Sequence, residues 1–297
     1  MYTGGKDGAG VFQRLINEIP PHDVFISAFL GDCAILRRKR PAWCNIGIDL
    51  AADPLSRFFA AWPGVAAAYG DPVPELQLYQ CDSIAWLAHA FDLYRLFLEA
   101  PTKPATASRP NLQEPTTKSA MQAAHHRPPE SAASTVARFD VDRSRIFVYA
   151  DPPYLITTRR NSRRYYRHEL TDDDHCRLLD VLIRLSCNVM VSHYPCALYA
   201  EALSDWRTFT FRAQTRRGMA TEQVWCNYPH PQYLHDPRWL GRNRREREKL
   251  TRRRRNLLAK IRRLPGPERQ SLLEAVADLS SGEPGASAPR VSDAPGG

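Results

Sequence analysis

Asp151-Pro152-Pro153-Tyr154 is the segment of the chain with the most specific chemistry. It follows Ile146-Phe147-Val148-Tyr149-Ala150, an apolar run that reads as a buried strand. Two prolines in a row fix an extended turn and remove two N–H donors. What remains is rich in acceptors: the Asp151 carboxylate and the Pro152 carbonyl, beside the Tyr154 ring. A planar exocyclic amine offers two N–H donors. Carboxylate and carbonyl can take one each, while the tyrosine stacks on the ring that bears the amine. The plain alternative is a rigid loop that ends an edge strand.

Such a turn needs a frame, and the rest of the chain supplies one. Val11, Leu15, Ile16 and Ile19 share one helix face. Val24 to Phe29 reads as a strand followed by Gly31, Ile46 to Ile48 as one ending at Asp49, and Leu76 to Tyr79 as one ending at Cys81-Asp82. Ser83 to Ala100 has the spacing of an amphipathic helix with Ser83 as its cap. Thr171 and Asp174 form a capping-box pattern ahead of Leu178, Leu179, Leu182 and Leu185. Asn188–Ser192, Thr208–Phe211 and Gln223–Cys226 complete the strands. Alternating strands and helices predict an α/β fold with a mostly parallel central sheet. Ligands of such sheets bind beyond the carboxyl ends of the strands, where Phe29 to Gly31, Asp49, Asp82 and Asp151 fall.

Composition sets the limits. The 297 residues are 43% hydrophobic and 25% charged, enough for one large domain or two small ones. No run of 18 apolar residues is present, and Met1 to Lys6 lacks an apolar segment, so neither a transmembrane helix nor a secretory signal is expected. Seven cysteines without a CxxC pair read as buried thiols of a cytoplasmic protein, with no metal site. The net charge of +9 is unevenly placed. Asp236 to Arg263 holds 13 Lys/Arg against 3 Asp/Glu, a local +10, which leaves the rest near −1. That concentration favours a polyanion, most plausibly nucleic acid. The expected organisation is two halves of one globular body, 1–100 and 138–235, around a flexible low-complexity insertion, 101–137. A basic helix, 236–264, and a mostly disordered tail, 265–297, follow.

Taken with the turn, the order of these blocks resembles the D12 class of Dam-like DNA adenine-N6 methyltransferases. The resemblance spans about residues 1–230 and is carried by Thr3-Gly4-Gly5-Lys6, Phe25 to Ile35, Asp49, Asp82, Asp151 to Tyr154, Ser192-His193-Tyr194 with Leu198-Tyr199 and Trp206, and Trp225 to Pro229. It implies a Rossmann-like class I methyltransferase fold with helices on both faces. It also implies S-adenosylmethionine (SAM) as cofactor and methyl transfer to adenine N6 of a base flipped out of DNA. Tyr2, Gly5, Lys6, Phe29 and Gly31 would then lie near the cofactor, with Asp49 on its ribose and Asp82 on its adenine amine. Asp151, Pro152, Pro153 and Tyr154 would hold the target adenine. The glycine motif departs from the family pattern: Ser27-Ala28-Phe29-Leu30-Gly31-Asp32-Cys33 lacks the usual acid and second glycine, with Asp32 offering a carboxylate from a shifted position.

DNA is the expected partner of a monomeric protein with no membrane contact. Arg159, Arg160, Arg163, Arg164, Tyr165, Tyr166 and Arg167 place arginines and aromatics next to the catalytic turn, as phosphate and base contacts require. Arg217, in Thr215-Arg216-Arg217-Gly218, adds a further candidate. Residues 239–264 put Leu250, Leu257, Leu258, Ile261 and Leu264 at helical spacing among basic residues, which suits DNA, the protein body or a partner helix. Two other outcomes fit the same residues. One is a different planar amine as acceptor, cytosine N4 or a glutamine amide; the other is a DNA-binding relative without catalysis. A restriction system, a phage or another mobile element would each suit such an enzyme.

Overall fold

The computed structural model describes residues 6–8, 10–69, 73–99, 142–159, 165–215 and 218–281, which fall into two units, 1–236 and 237–297. The first is built on one seven-stranded sheet of β1 (Val24–Ala28), β2 (Cys44–Asp49), β3 (Glu75–Gln80), β4 (Ile146–Ala150), β5 (Asn188–His193), β6 (Arg207–Thr215) and β7 (Gly218–Cys226). The spatial order is β3-β2-β1-β4-β5-β7-β6. Only β7 runs against its neighbours. This is the mostly parallel α/β sheet that the alternation of patterns predicts. The hairpin β6–β7 is longer at its tip than its apolar residues suggest, because Arg212, Gln214 and Thr221 there leave no hydrophobic signal to read.

Burial follows from position in the sheet. All five residues of β1 and of β4 are buried, as expected of central strands covered on both faces. Edge strand β3, with polar residues at alternate positions, stays partly exposed. On one face, Val24, Ile26, Ile46, Ile48, Val148, Val189 and Val191 pack with Trp86 and Leu87 of α4 (Ser83–Glu99). Leu178, Leu179 and Leu182 of α5 (Asp172–Arg184) and Tyr199 of α6 (Ala197–Ala202) complete that cluster. On the other face, Phe25 and Phe147, partners in the ladder, stack with ring centroids 5.9 Å apart. Lys39, the C-cap of α2 (Ala34–Arg38), lies over the Phe25 ring, and α2 contacts α1 (Val11–Ile16). The remaining helix, α3 (Ala52–Ala67), packs on β2 and β3.

The capping box of α5 forms as its sequence predicts: Thr171 Oγ1 accepts from the Asp174 N–H, and Asp174 accepts from the Thr171 N–H. The cap of α4 differs. Asp82 Oδ1, not Ser83, accepts the N–H groups of Ile84 and Ala85, since its carboxylate stands at the residue before the helix. Ser83 Oγ is thereby left to accept from the Phe29 N–H.

The second unit holds α7 (Arg244–Arg263), capped by Asn243, and α8 (Gly266–Ser281). The helix α8 occupies the start of the stretch expected to be a mostly disordered tail. Its Glu, Gln, Leu and Ala residues favour helix, and its one proline sits in the first turn, where no N–H partner is lost. The insertion 101–137 lies outside the described residues. All seven cysteines are free thiols, with Cys176 exposed and Cys44, Cys81, Cys187 and Cys226 buried. No described helix is long and apolar enough to cross a membrane, and no metal-binding cluster is found among the described residues.

Candidate active site

The register of the sheet assembles the site. Ala28 pairs with Ile48 on one side and with Ala150 on the other, and Ala150 pairs with Val191. The residues that follow, Asp49, Phe29, Asp151 and Ser192, therefore stand at one level on four adjacent strands, whose usual spacing is about 4.8 Å. The strand order reverses between β1 and β4, so Phe29 and Asp151 flank the switch point where open α/β sheets bind ligands.

The loop after β1 is the strained part of this row. Phe29 has φ 58°, the only positive φ among the described non-glycine residues, and Gly31 has φ 47°. A left-handed phenylalanine costs on the order of 1–3 kcal/mol, and such strain clusters at ligand sites. Three hydrogen bonds hold the loop: Phe29 N–H to Ser83 Oγ, Leu30 N–H to the Ile48 carbonyl, and Gly31 N–H to Asp49 Oδ2 at 2.7 Å. The other Asp49 oxygen accepts from the Ala51 N–H. Burial raises the Asp49 pKa against these bonds. Asp32, the shifted acid of the glycine motif, forms a surface pair. Its carboxylate is 39% exposed and pairs with Arg37 at 3.2 Å, because the chain has already entered the turn toward α2.

At the end of β4 the Asp151 carboxylate is 23% exposed and lies in a polar cluster. Lys6 Nζ donates to its two oxygens at 2.9 and 3.0 Å, and Ser192 Oγ donates to Oδ1 at 2.9 Å. The same ammonium is 2.9 Å from Glu222 Oε2 and 2.5 Å from the Tyr154 hydroxyl. Tyr154 in turn donates to Glu222 Oε2 at 2.7 Å. Burial would push the Lys6 ammonium down, but Asp151, Tyr154 and Glu222 more than offset it and hold its pKa well above the ordinary value. Burial, with Asp151, raises the Tyr154 phenol well above its usual value, so it stays a neutral donor. The cluster carries one positive charge against two carboxylates.

The turn itself is braced from both sides. His193 Nε2 accepts from the Leu155 N–H at 2.8 Å, which assigns the ring proton to Nδ1, where it donates to the Tyr194 carbonyl. Burial lowers the His193 pKa to about 3, so the acceptor stays neutral. Arg159 Nε donates to the Tyr154 carbonyl at 2.8 Å, and its guanidinium holds Glu169 with contacts of 2.8 and 2.5 Å. Glu169 also accepts the N–H groups of Tyr165 and Tyr166.

Several expected positions are placed differently. Arg159 is 5% exposed and fully engaged with Glu169 and the turn, so it is not offered to phosphate. The acid that captures it lies two residues beyond the basic run. The Tyr154 ring, expected as a stacking platform, is 8% exposed, with His193 and Tyr194 rings 4.7 and 4.6 Å away and the Lys6 ammonium over it. Its hydroxyl drives this inward orientation by bonding Glu222. Pro152 is buried and Pro153 partly exposed, while Tyr165 and Arg167 are exposed on the loop after the turn. Asp82 uses Oδ1 as a helix cap, and its Oδ2 accepts no bond among the described residues. Tyr2, Gly5, Arg160, Arg163, Arg164 and Arg217 lie outside the described residues. Glu222 escaped sequence reading because a lone acid in a strand looks like an outward-facing residue. Only the pairing of β7 with β5 turns it toward Lys6.

Solved structures with a similar chain path include SMU.1697c of Streptococcus mutans in complex with SAH, at 9% identity and a TM-score of 0.36, covering 72% of this chain and 93% of that one. The 23S rRNA methyltransferase ErmE aligns at 9% identity and a TM-score of 0.32, over 79% of this chain and 72% of its own. Precorrin 8w decarboxylase of Methanobacterium thermoautotrophicum aligns at 10% identity and a TM-score of 0.31, over 71% and 84% of the two chains. No curated protein matches the sequence. One segment, residues 118–217, from the insertion through the Asp151–Tyr154 turn to the β6–β7 hairpin, does match a family model, that of the D12 class N6 adenine-specific DNA methyltransferases.

Proposed function

We propose that this protein transfers a methyl group from SAM to N6 of an adenine flipped out of DNA. The observation that carries the reading is the Asp151 carboxylate, part-exposed at the switch point of the sheet and fixed by Lys6 and Ser192. The family match over residues 118–217 supports SAM-dependent methylation. The strand tips fit the cofactor: a strained backbone at Phe29 and Gly31, an acid at Asp49 with lone pairs beyond those its two N–H donors use, and an Asp82 oxygen that accepts no bond among the described residues.

When bound, SAM would supply a methyl group made electrophilic by its sulfonium. The chain's own residues do the rest. The N6 lone pair is delocalised into the adenine ring, so the amine is a poor nucleophile. Asp151 and the Pro152 carbonyl would accept its two protons and draw the nitrogen toward tetrahedral geometry, a matter of positioning and electrostatics. Lys6 holds the Asp151 carboxylate in place for that task. Glu222 and Tyr154 also hold the ammonium, so Lys6 stays in place while Asp151 takes a new donor. The excess negative charge of the cluster suits both a sulfonium and the positive charge that develops on N6. The amine becomes acidic only as the methyl group arrives, and Asp151 can then take the proton.

Asp151→Ala tests this reading. It should abolish methylation of duplex DNA, followed by nucleoside mass spectrometry, while isothermal titration still shows SAM binding. N4-methylcytosine in place of N6-methyladenine would redirect the acceptor. A wild-type chain that does not bind SAM would overturn the reading in favour of a DNA-binding relative.

A further inference from the structure

Eleven Lys/Arg and two Glu lie on the 20 residues of α7. The two acids are spent early, in pairs with Arg242 and Arg244. Arg252, Arg253, Arg254, Arg255, Lys260, Arg262 and Arg263 then follow, all exposed, with no carboxylate in ion-pair reach among the described residues. Successive residues of a helix are about 100° apart, so Arg252 to Arg255 put a cation on every side of it. Arg254 falls inside the stripe formed by Leu250, Leu257, Ile261 and Leu264. That interruption disfavours a lipid surface or a protein groove, either of which would desolvate the guanidinium.

A ring of cations suits a surrounding with phosphates on more than one side. We propose that α7 lies in the major groove of duplex DNA, with the Arg252–Arg255 run at the point of deepest entry. Two observations on the helix support this beside the general fit of an α-helix to the groove, and neither depends on methyl transfer. Its diameter with side chains, about 10–12 Å, matches a groove about 12 Å wide. The four arginines occupy the middle of α7, where a straight helix comes nearest the floor of a curved groove. Arg262 and Arg263 at its end are left to meet phosphates where the helix leaves the groove. The A-form major groove of duplex RNA is too deep and narrow to admit the helix in this way.

The full-length chain is the material for the test. Binding to a 20-base-pair DNA duplex is measured across a salt series for the wild type and for Arg252→Gln/Arg253→Gln/Arg254→Gln/Arg255→Gln, glutamine being kept for its helix propensity. Contacts by the three arginines that face the groove, the fourth pointing to solvent, would lower the slope of log K against log salt by about 2.7, at about 0.9 per phosphate. A helix resting one face on the backbone presents at most two of the four and would lower it by about 2 or less, which overturns groove entry. No change overturns DNA contact by α7 altogether. Equal binding of a duplex RNA of the same sequence, with the same loss on substitution, would also overturn it. The slope is read from binding alone, without SAM, so failure of methyl transfer and failure of this proposal are separable.

Discussion

Lys6→Met isolates the physics of the candidate site. One ammonium lies 2.9 Å from oxygens of both Asp151 and Glu222, so those oxygens are at most about 6 Å apart. With Lys6 gone, two carboxylates would face each other; at an effective dielectric of about 20 their repulsion is about 3 kcal/mol. Loss of one partner from a buried ion pair costs about 3–5 kcal/mol by experience, which agrees. The variant should therefore lose roughly that much stability in guanidinium unfolding at neutral pH. Glu222→Gln should lose about 1 kcal/mol or less, because Lys6 keeps Asp151 and the amide keeps an oxygen for Tyr154. The double variant decides the matter. Removing both the cation and one anion relieves the repulsion, so it should be about 1–3 kcal/mol more stable than Lys6→Met alone. A double variant no better than the single one, or a Lys6→Met cost under about 1 kcal/mol, would refute the reading of one cation shared by two carboxylates.

Two more outcomes follow from the braces around the turn. Arg159→Ala strips Glu169 and the Tyr154 carbonyl of their donor and should cost about 3 kcal/mol in chemical unfolding, with the salt slope of DNA binding unchanged; a slope lower by about 1 would show a phosphate contact instead. His175 and His193 are buried, with pKa values lowered to about 4 and about 3 from an ordinary 6.5. The unfolded chain takes up protons that the folded one refuses, so stability should fall as pH drops below about 6.5. At pH 5 the loss relative to pH 7 is about 2 kcal/mol for each histidine. The gap in stability between wild type and His193→Gln should narrow by about that amount from pH 7 to pH 5, and a constant gap would refute the assignment.

The seven strands, the α5 capping box and the acceptor-rich turn were legible in the sequence because each rests on local rules. Alternation or a run of β-branched residues signals a strand, a Thr-x-x-Asp pattern a helix start, and two prolines a fixed turn. Asp49 and Asp151 were legible for the same reason, since each ends an apolar run. What the sequence could not show is which side chains those ends bring within 3 Å. Lys6 and Glu222 are 216 residues apart, and nothing local to either marks the other. Arg159 reads from the sequence as a phosphate contact, whereas in the fold Glu169 holds it. Tyr154 reads from the sequence as an open platform, whereas the hydrogen bond from its hydroxyl to Glu222 turns the ring inward. Local chemistry sets what each element is, whereas the pairing of β7 with β5 and of β4 with β1 sets which charges must neutralise one another. That balance can be drawn up only when the whole sheet is in place.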